Sequence, residues 1–146
     1  MELCNGSAVI FDMDLGIIAY TITSAGKLFD GVVETISDLK SRGYEIVLAS
    51  GDRKGAINRL ACMLDINRDN AYGSVSTRGK CEIVKSLQDD GYKVMMVGDG
   101  LNDILAFKHA DVSVLTIEQQ EEVSPKLMDK TDYIIESIRD IKDIVF

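Results

Sequence analysis

Runs that are apolar at nearly every position alternate along this chain with segments whose apolar residues fall at helical spacing, and that alternation constrains the fold most. Ser7 to Asp12 (SAVIFD), Tyr44 to Ser50 (YEIVLAS) and Tyr92 to Val97 (YKVMMV) show no regular switch between apolar and polar positions. A strand that is apolar on both faces must be covered on both faces, as happens in a parallel sheet flanked by helices. The intervening segments supply the helices. Val33, Ile36 and Leu39 recur at helical spacing between Asp30, a plausible N-cap, and Gly43, a plausible stop. Further helices are predicted over about 54–64, over about 78–89 with Gly91 at its end, from about Asn102, after Glu118, and at the C-terminus. Shorter strands are predicted at 111–115 and 133–135, and a short segment at 71–75 precedes the helix over 78–89. The fold class is therefore α/β, a three-layer doubly wound domain around a parallel sheet.

With 146 residues and no repeat, linker or low-complexity stretch, the chain reads as one domain spanning residues 1–146. No apolar run approaches the roughly 18 residues that span a bilayer, and no secretory signal opens the sequence, so no membrane association is expected. Three cysteines, without a CxxC pair, argue against a disulfide framework or structural zinc and fit the cytoplasm. A net charge of −8 argues against general nucleic-acid binding. A phosphate ester can still bind, provided positive charge is supplied locally.

In a doubly wound sheet, ligands bind beyond the carboxyl ends of the strands. Those ends carry Asp12-Met13-Asp14, Ser50-Gly51-Asp52 and Gly98-Asp99-Gly100-Leu101-Asn102-Asp103. Asp12, Asp14, Asp99 and Asp103 would bring four carboxylates together, and their mutual repulsion is relieved by a hard divalent cation; oxygen ligands and a substrate phosphate suit Mg²⁺. Ser50 can donate to a phosphoryl oxygen, Gly51 leaves its amide accessible, and the next helix points its amino end there. Lys80 is the natural fixed cation to offset charge on a transferring phosphoryl group.

Asp12-x-Asp14, Ser50, Lys80 and Gly98-Asp99-x-x-x-Asp103 resemble, in order and spacing, the four motifs of the haloacid dehalogenase-like superfamily. Within it, LKSRGYEIVLASGD and KCEIVKSLQDDGYKVMMVGDGLNDILAFKHADVSV are similar to segments of the phosphorylation domain of P-type ATPases. The resemblance covers roughly residues 7–115, and GDGLND after an apolar strand is its specific part. It implies a Mg²⁺-dependent phosphatase of phosphomonoesters. Asp12 would be the nucleophile forming an aspartyl-phosphate, and Asp14 the general acid and base. Ser50, Gly51 and Lys80 would bind phosphate, Mg²⁺ would be held by Asp12, the Asp14 carbonyl and Asp99, and Asp103 and Asn102 would support the site. Asp14 stands where P-type ATPases carry threonine, which is the phosphatase pattern, whereas Leu15-Gly16 departs from the usual Gly-Thr. A capless member is implied, with a short flap at about 15–29.

The substrate would be a phosphorylated small molecule or macromolecule. Two other readings stand beside this one: a non-catalytic or regulatory module that binds phosphate and Mg²⁺, and an ATP-driven phosphotransferase, for which no nucleotide-binding domain is evident. An open, capless site also suggests a homo-oligomer, with Ile17-Ile18-Ala19-Tyr20 and Ile144-Val145-Phe146 as contacts. Bland readings suit other residues. Asp30, Asp38, Asp65 and the run Glu118 to Glu122 fit caps, turns or solvated faces, and His109 a surface or packing role. Asp52 fits a loop start or cap as well as a direct role, and Arg53 and Lys54 could touch substrate. Cys62 and Cys81 fit small buried hydrophobes, and Met95 and Met96 a core strand.

Overall fold

The structure, a computed structural model, describes residues 7–12, 16–21, 23–24, 27–28, 31–98, 100, 103–117 and 125–144. Seven strands form one sheet in the order β6-β5-β1-β2-β7-β8-β9. They are β1 (Ser7–Asp12), β2 (Gly16–Thr21), β5 (Tyr44–Ala49), β6 (Ala71–Tyr72), β7 (Lys93–Gly98), β8 (Val112–Thr116) and β9 (Tyr133–Ile135). A separate two-stranded ribbon pairs β3 (Thr23–Ser24) with β4 (Lys27–Leu28). The helices are α1 (Val32–Ser41), α2 (Lys54–Met63), α3 (Thr77–Asp89), α4 (Ile104–His109) and α5 (Pro125–Asp129). Among the described residues no helix is long and apolar enough to cross a membrane.

Three layers follow from where the apolar side chains go. Ile46 and Leu48 of β5, with Met95 and Val97 of β7, pack on one face against Ile36 and Leu39 of α1, Leu60 of α2, and Ile138 and Ile141 of a C-terminal 3-10 helix. Val47 and Ala49, with Val94 and Met96, pack on the other face against Val84 of α3, Phe107 of α4 and Leu127 of α5. Successive residues of one strand thus serve opposite faces, and uniformly apolar strands are the result. On α1 the buried set Val32, Thr35, Ile36 and Leu39 follows the helical repeat.

The helix boundaries fall close to the predicted ones, with local corrections. Gly31, not Asp30, precedes α1, with φ at +85° and no side-chain cap bond; Asp30 itself lies outside the described residues. A Cβ at Gly31 would meet Nε of Arg139 at 2.5 Å, an exposed side chain that can shift, so it is the left-handed backbone that favours glycine there. The C-terminal helix is a 3-10 segment, Ile138–Asp143, opened by a Ser137–Asp140 capping box. Cys81 is buried, but Cys62 is exposed, because it falls one residue past the buried stripe Ala56, Ile57, Leu60 and Ala61 of α2. Residues 118–124, expected to begin a helix, lie outside the described residues apart from α5 beyond them.

One strand departs from the parallel expectation. β5–β6, β2–β7, β7–β8 and β8–β9 are parallel. β1 runs antiparallel to β2, β5 and β7, with Ser7 opposite Ala49 and Asp12 opposite Tyr44. β2 belongs to the segment expected to form a flap, yet it lies within the sheet between β1 and β7, so Ile17-Ile18-Ala19-Tyr20 is sheet backbone there.

The start of α3 sets the position of Lys80. Ser76 caps the helix by accepting the amide of Gly79 at 3.0 Å, and its carbonyl accepts the amide of Lys80 at 2.9 Å. Ser76→Ala removes the only side-chain cap of that turn, and urea denaturation should show a loss of about 1 kcal/mol with an unchanged m-value.

Candidate active site

β5 and β7 are both antiparallel to β1 and therefore run in the same direction. Their carboxyl ends open onto one edge of the sheet, and β6, parallel to β5, delivers its loop to the same edge. Ser50 follows β5 and is completely buried. Its amide donates to the Tyr72 carbonyl at 3.0 Å, and its carbonyl accepts from the Val75 amide at 2.8 Å. The hydroxyl donates to Asp52 Oδ2 at 3.1 Å and accepts the Asp52 amide at 3.1 Å. The loop after β5 is thus closed on itself through Asp52 and stitched to the loop after β6. Gly51 is exposed, so its backbone is open to solvent. The first turn of α2 carries no acidic residue, and Arg53 before it makes no side-chain cap bond. Arg53 and Lys54 are exposed beside that turn.

Lys80 lies in the first turn of α3 with 4% of its surface accessible, although lysine ordinarily stays in water. Its ammonium donates to Asp103 Oδ1 at 2.8 Å, and Asp103 is also completely buried. The second carboxylate oxygen, Oδ2, accepts the Gly100 amide at 3.3 Å, while the Asp103 amide returns a bond to the Gly100 carbonyl at 3.1 Å. This turn links β7 to α4. A carboxylate held on both oxygens, one by a cation, is oriented rather than free to swing.

Lys80 and Asp103, each predicted as a site residue, are in contact, and Ser50 and Gly51 open onto the same sheet edge. Asp12 is not brought to them. Its backbone pairs with Tyr44 at the start of β5, and six residues of extended chain separate Tyr44 from Ser50, roughly 20 Å. The reason is the direction of β1, since a strand set antiparallel delivers its carboxyl end to the opposite edge. Asp14, Asp99 and Asn102 lie outside the described residues. Asp52 emerges as the partner of the Ser50 hydroxyl; a serine two residues before an aspartate at a strand end was the available signal. His109, Met95 and Met96 have the bland roles expected of them: His109 is exposed at the end of α4, and both methionines are buried in β7.

The chain has counterparts among known proteins. The sequence profile described as haloacid dehalogenase-like hydrolase matches residues 3–111. The chain belongs to that family. It is 40% identical over 144 residues to the soluble P-type ATPase-like phosphatase of Methanocaldococcus jannaschii, an alignment covering 99% of this chain and 52% of that protein. The chain thus spans about half the length of that relative. Among solved structures, a phosphoserine phosphatase holding a phospho-aspartyl intermediate analogue superposes with a TM-score of 0.63 at 26% identity, over 82% of this chain and 65% of the other. The catalytic CPx-ATPase domain CopB-B superposes with a TM-score of 0.55 at 27% identity, over 74% of this chain and 47% of the other.

The buried pair makes a stability prediction that needs no assay of activity. Asp103→Ala leaves the Lys80 ammonium buried without its carboxylate, and chemical denaturation should show a loss of about 3–5 kcal/mol. Lys80→Met combined with Asp103→Ala should recover much of that loss, because no uncompensated charge then remains. Simple additivity of the two changes would mean that the pair is not coupled.

Proposed function

We propose that this chain is a Mg²⁺-dependent phosphatase that hydrolyses a phosphomonoester through an aspartyl-phosphate on Asp12. The observation that carries the reading is the buried ammonium of Lys80, held by Asp103 at the sheet edge onto which Ser50 and Gly51 also open. Family membership and the likeness to phosphatases support it. In this reading an Asp12 oxygen attacks phosphorus while the ester P–O bond breaks. Asp14 gives its proton to the leaving oxygen, then takes one from the water that attacks the acyl-phosphate. That second attack frees Asp12 and releases inorganic phosphate. Ser50, the Gly51 amide and Lys80 hold the phosphoryl oxygens throughout.

The donor set suits Mg²⁺. Carboxylates of Asp12 and Asp99 and the carbonyl of Asp14 are all hard oxygen donors. The Asp103 oxygens are engaged by Lys80 and Gly100, which fits a supporting role for Asp103 better than a ligating one. When bound, the ion would neutralise charge on the phosphoryl oxygens. The substrate is a phosphorylated small molecule or macromolecule.

One observation favours the non-catalytic alternative, a module that binds phosphate and Mg²⁺: β1 lies antiparallel, with Asp12 across from Tyr44. Turnover needs Asp12 at the Ser50 edge, and hence β1 parallel to β5. Nuclear Overhauser spectra of the protein with Mg²⁺ and inorganic phosphate decide between the two. An antiparallel pair brings opposing Cα atoms to about 4.5 Å at alternate positions, giving strong Hα–Hα contacts that a parallel pair lacks. Strong Hα–Hα contacts between β1 and β5 under those conditions would defeat the phosphatase reading.

Activity supplies the second test. Hydrolysis of a generic phosphomonoester should require Mg²⁺ and vanish in Asp12→Asn, which keeps the shape and loses the charge. Asp14→Thr should slow turnover by about 10²–10⁴-fold. With acetyl phosphate, whose leaving group needs little protonation, this variant should accumulate a phosphoryl adduct visible by intact-protein mass spectrometry after acid quench. Wild-type turnover in a folded Asp14→Thr protein would remove the general acid and base role assigned to Asp14.

A further inference from the structure

Gly98 ends β7 and has no unusual backbone angle to account for its being glycine. What surrounds it does account for it. A Cβ built there would stand 2.3 Å from Asp103 Oδ2, 2.6 Å from its Cγ and 2.9 Å from its Cβ. None of these distances is tolerated between real atoms. Nor is the Asp103 side chain a flexible end that could swing aside. It is completely buried, with Oδ1 on the Lys80 ammonium at 2.8 Å and Oδ2 on the Gly100 amide at 3.3 Å. The carboxylate therefore occupies the volume that a side chain at position 98 would fill.

We propose that Gly98 is a positioning residue: its missing side chain is the seat of the Asp103 carboxylate, and that seat fixes the Lys80 ammonium at the sheet edge. A methyl group at position 98 would push Asp103 off its bonds to the Lys80 ammonium and the Gly100 amide. The part of this inference that concerns turnover rests on the phosphatase reading; the seating of the ion pair does not.

The test uses Gly98→Ala, Asp103→Gly and the two combined, in the full chain. Asp103→Gly removes the whole side chain, including the Cβ that the alanine would strike, so the two substitutions exchange one volume for another. Two readouts are taken: the thermal midpoint, and the modification rate of Lys80 by an amine-reactive reagent, mapped by peptide mass spectrometry. Wild-type Lys80 should react slowly. In Gly98→Ala its rate should rise clearly above the wild-type rate, because the Asp103 carboxylate no longer holds the ammonium, and the midpoint should fall. In the Asp103→Gly background the same alanine should change neither quantity further. If Gly98→Ala fails to fold while the double variant folds, the steric assignment stands. If Asp103→Gly folds and neither Gly98→Ala nor the double variant does, the alanine collides with something other than Asp103 and the proposal fails. Additive effects, or a lowered midpoint with Lys80 still protected, overturn it as well. With a phosphomonoester, kcat of Gly98→Ala should drop about 10²-fold; wild-type turnover together with a reactive Lys80 would sink the role assigned to Lys80 and leave the seating intact.

Discussion

Lys80 and Asp103 are both withdrawn from water, and neither could be buried there alone. A lone ion in such a place is costly, whereas the 2.8 Å contact between the two offsets part of that cost. Apolar residues of similar volume would fill the same space at little or no loss in stability, so the pair is poorly explained as a stabilising device. Position explains it better. The start of α3, the end of β7 and the turn before α4 all have to be correct before the ammonium meets the carboxylate. The Ser76 cap sets the first, Gly98 the second and Gly100 the third. A fixed cation at one sheet edge is also what a protein of net charge −8 needs if an anion is to be held there.

Much of this arrangement was legible in the residues. Uniformly apolar strands announced a sheet covered on both faces, and the two sets of core residues bear that out, with Ile46 and Leu48 on one face and Val47 and Ala49 on the other. The helical repeat on α1 and the stops at Gly43 and Gly91, whose φ values are +97° and +96°, follow from the physics of helix faces and left-handed caps. The order and spacing of the motifs singled out Lys80 and Asp103 separately, one for phosphate and one for a supporting role, and the contact between them appears only in the structure. Nothing in composition relates residue 80 to residue 103.

Other features depend on tertiary contacts that no local pattern carries. Asp30 looks like a better N-cap than Gly31, but the helix starts one residue later, at a glycine whose φ of +85° no side-chain preference announces. Cys62 has the composition of a buried residue and lies one step off the buried face of its helix. The bond between Ser50 and Asp52 belongs to a loop that is fixed by backbone bonds from Tyr72 and Val75.

The direction of β1 is the deepest of these ambiguities, and it is tied to the fate of the segment after it. An apolar run declares that a strand is buried but not which way it points, because its side chains alternate between faces equally well in either direction. Only residues 13–15 separate β1 from β2. That is enough for a hairpin and far too little for a crossover, so the two strands must be antiparallel if they are neighbours in a sheet. Once GIIAYT lies parallel to β7, SAVIFD has to run against it, and Asp12 arrives beside Tyr44. Setting β1 parallel to β5 and β7 instead displaces β2 from its pairing with β7, leaving residues 16–21 to act as the flap. Both strands are six residues long and rich in apolar side chains, so burial alone discriminates weakly between the two solutions. The position of Asp12 and the existence of a flap are therefore one structural question, and a ligand that binds Asp12 only at the Ser50 edge would bias both toward the same answer.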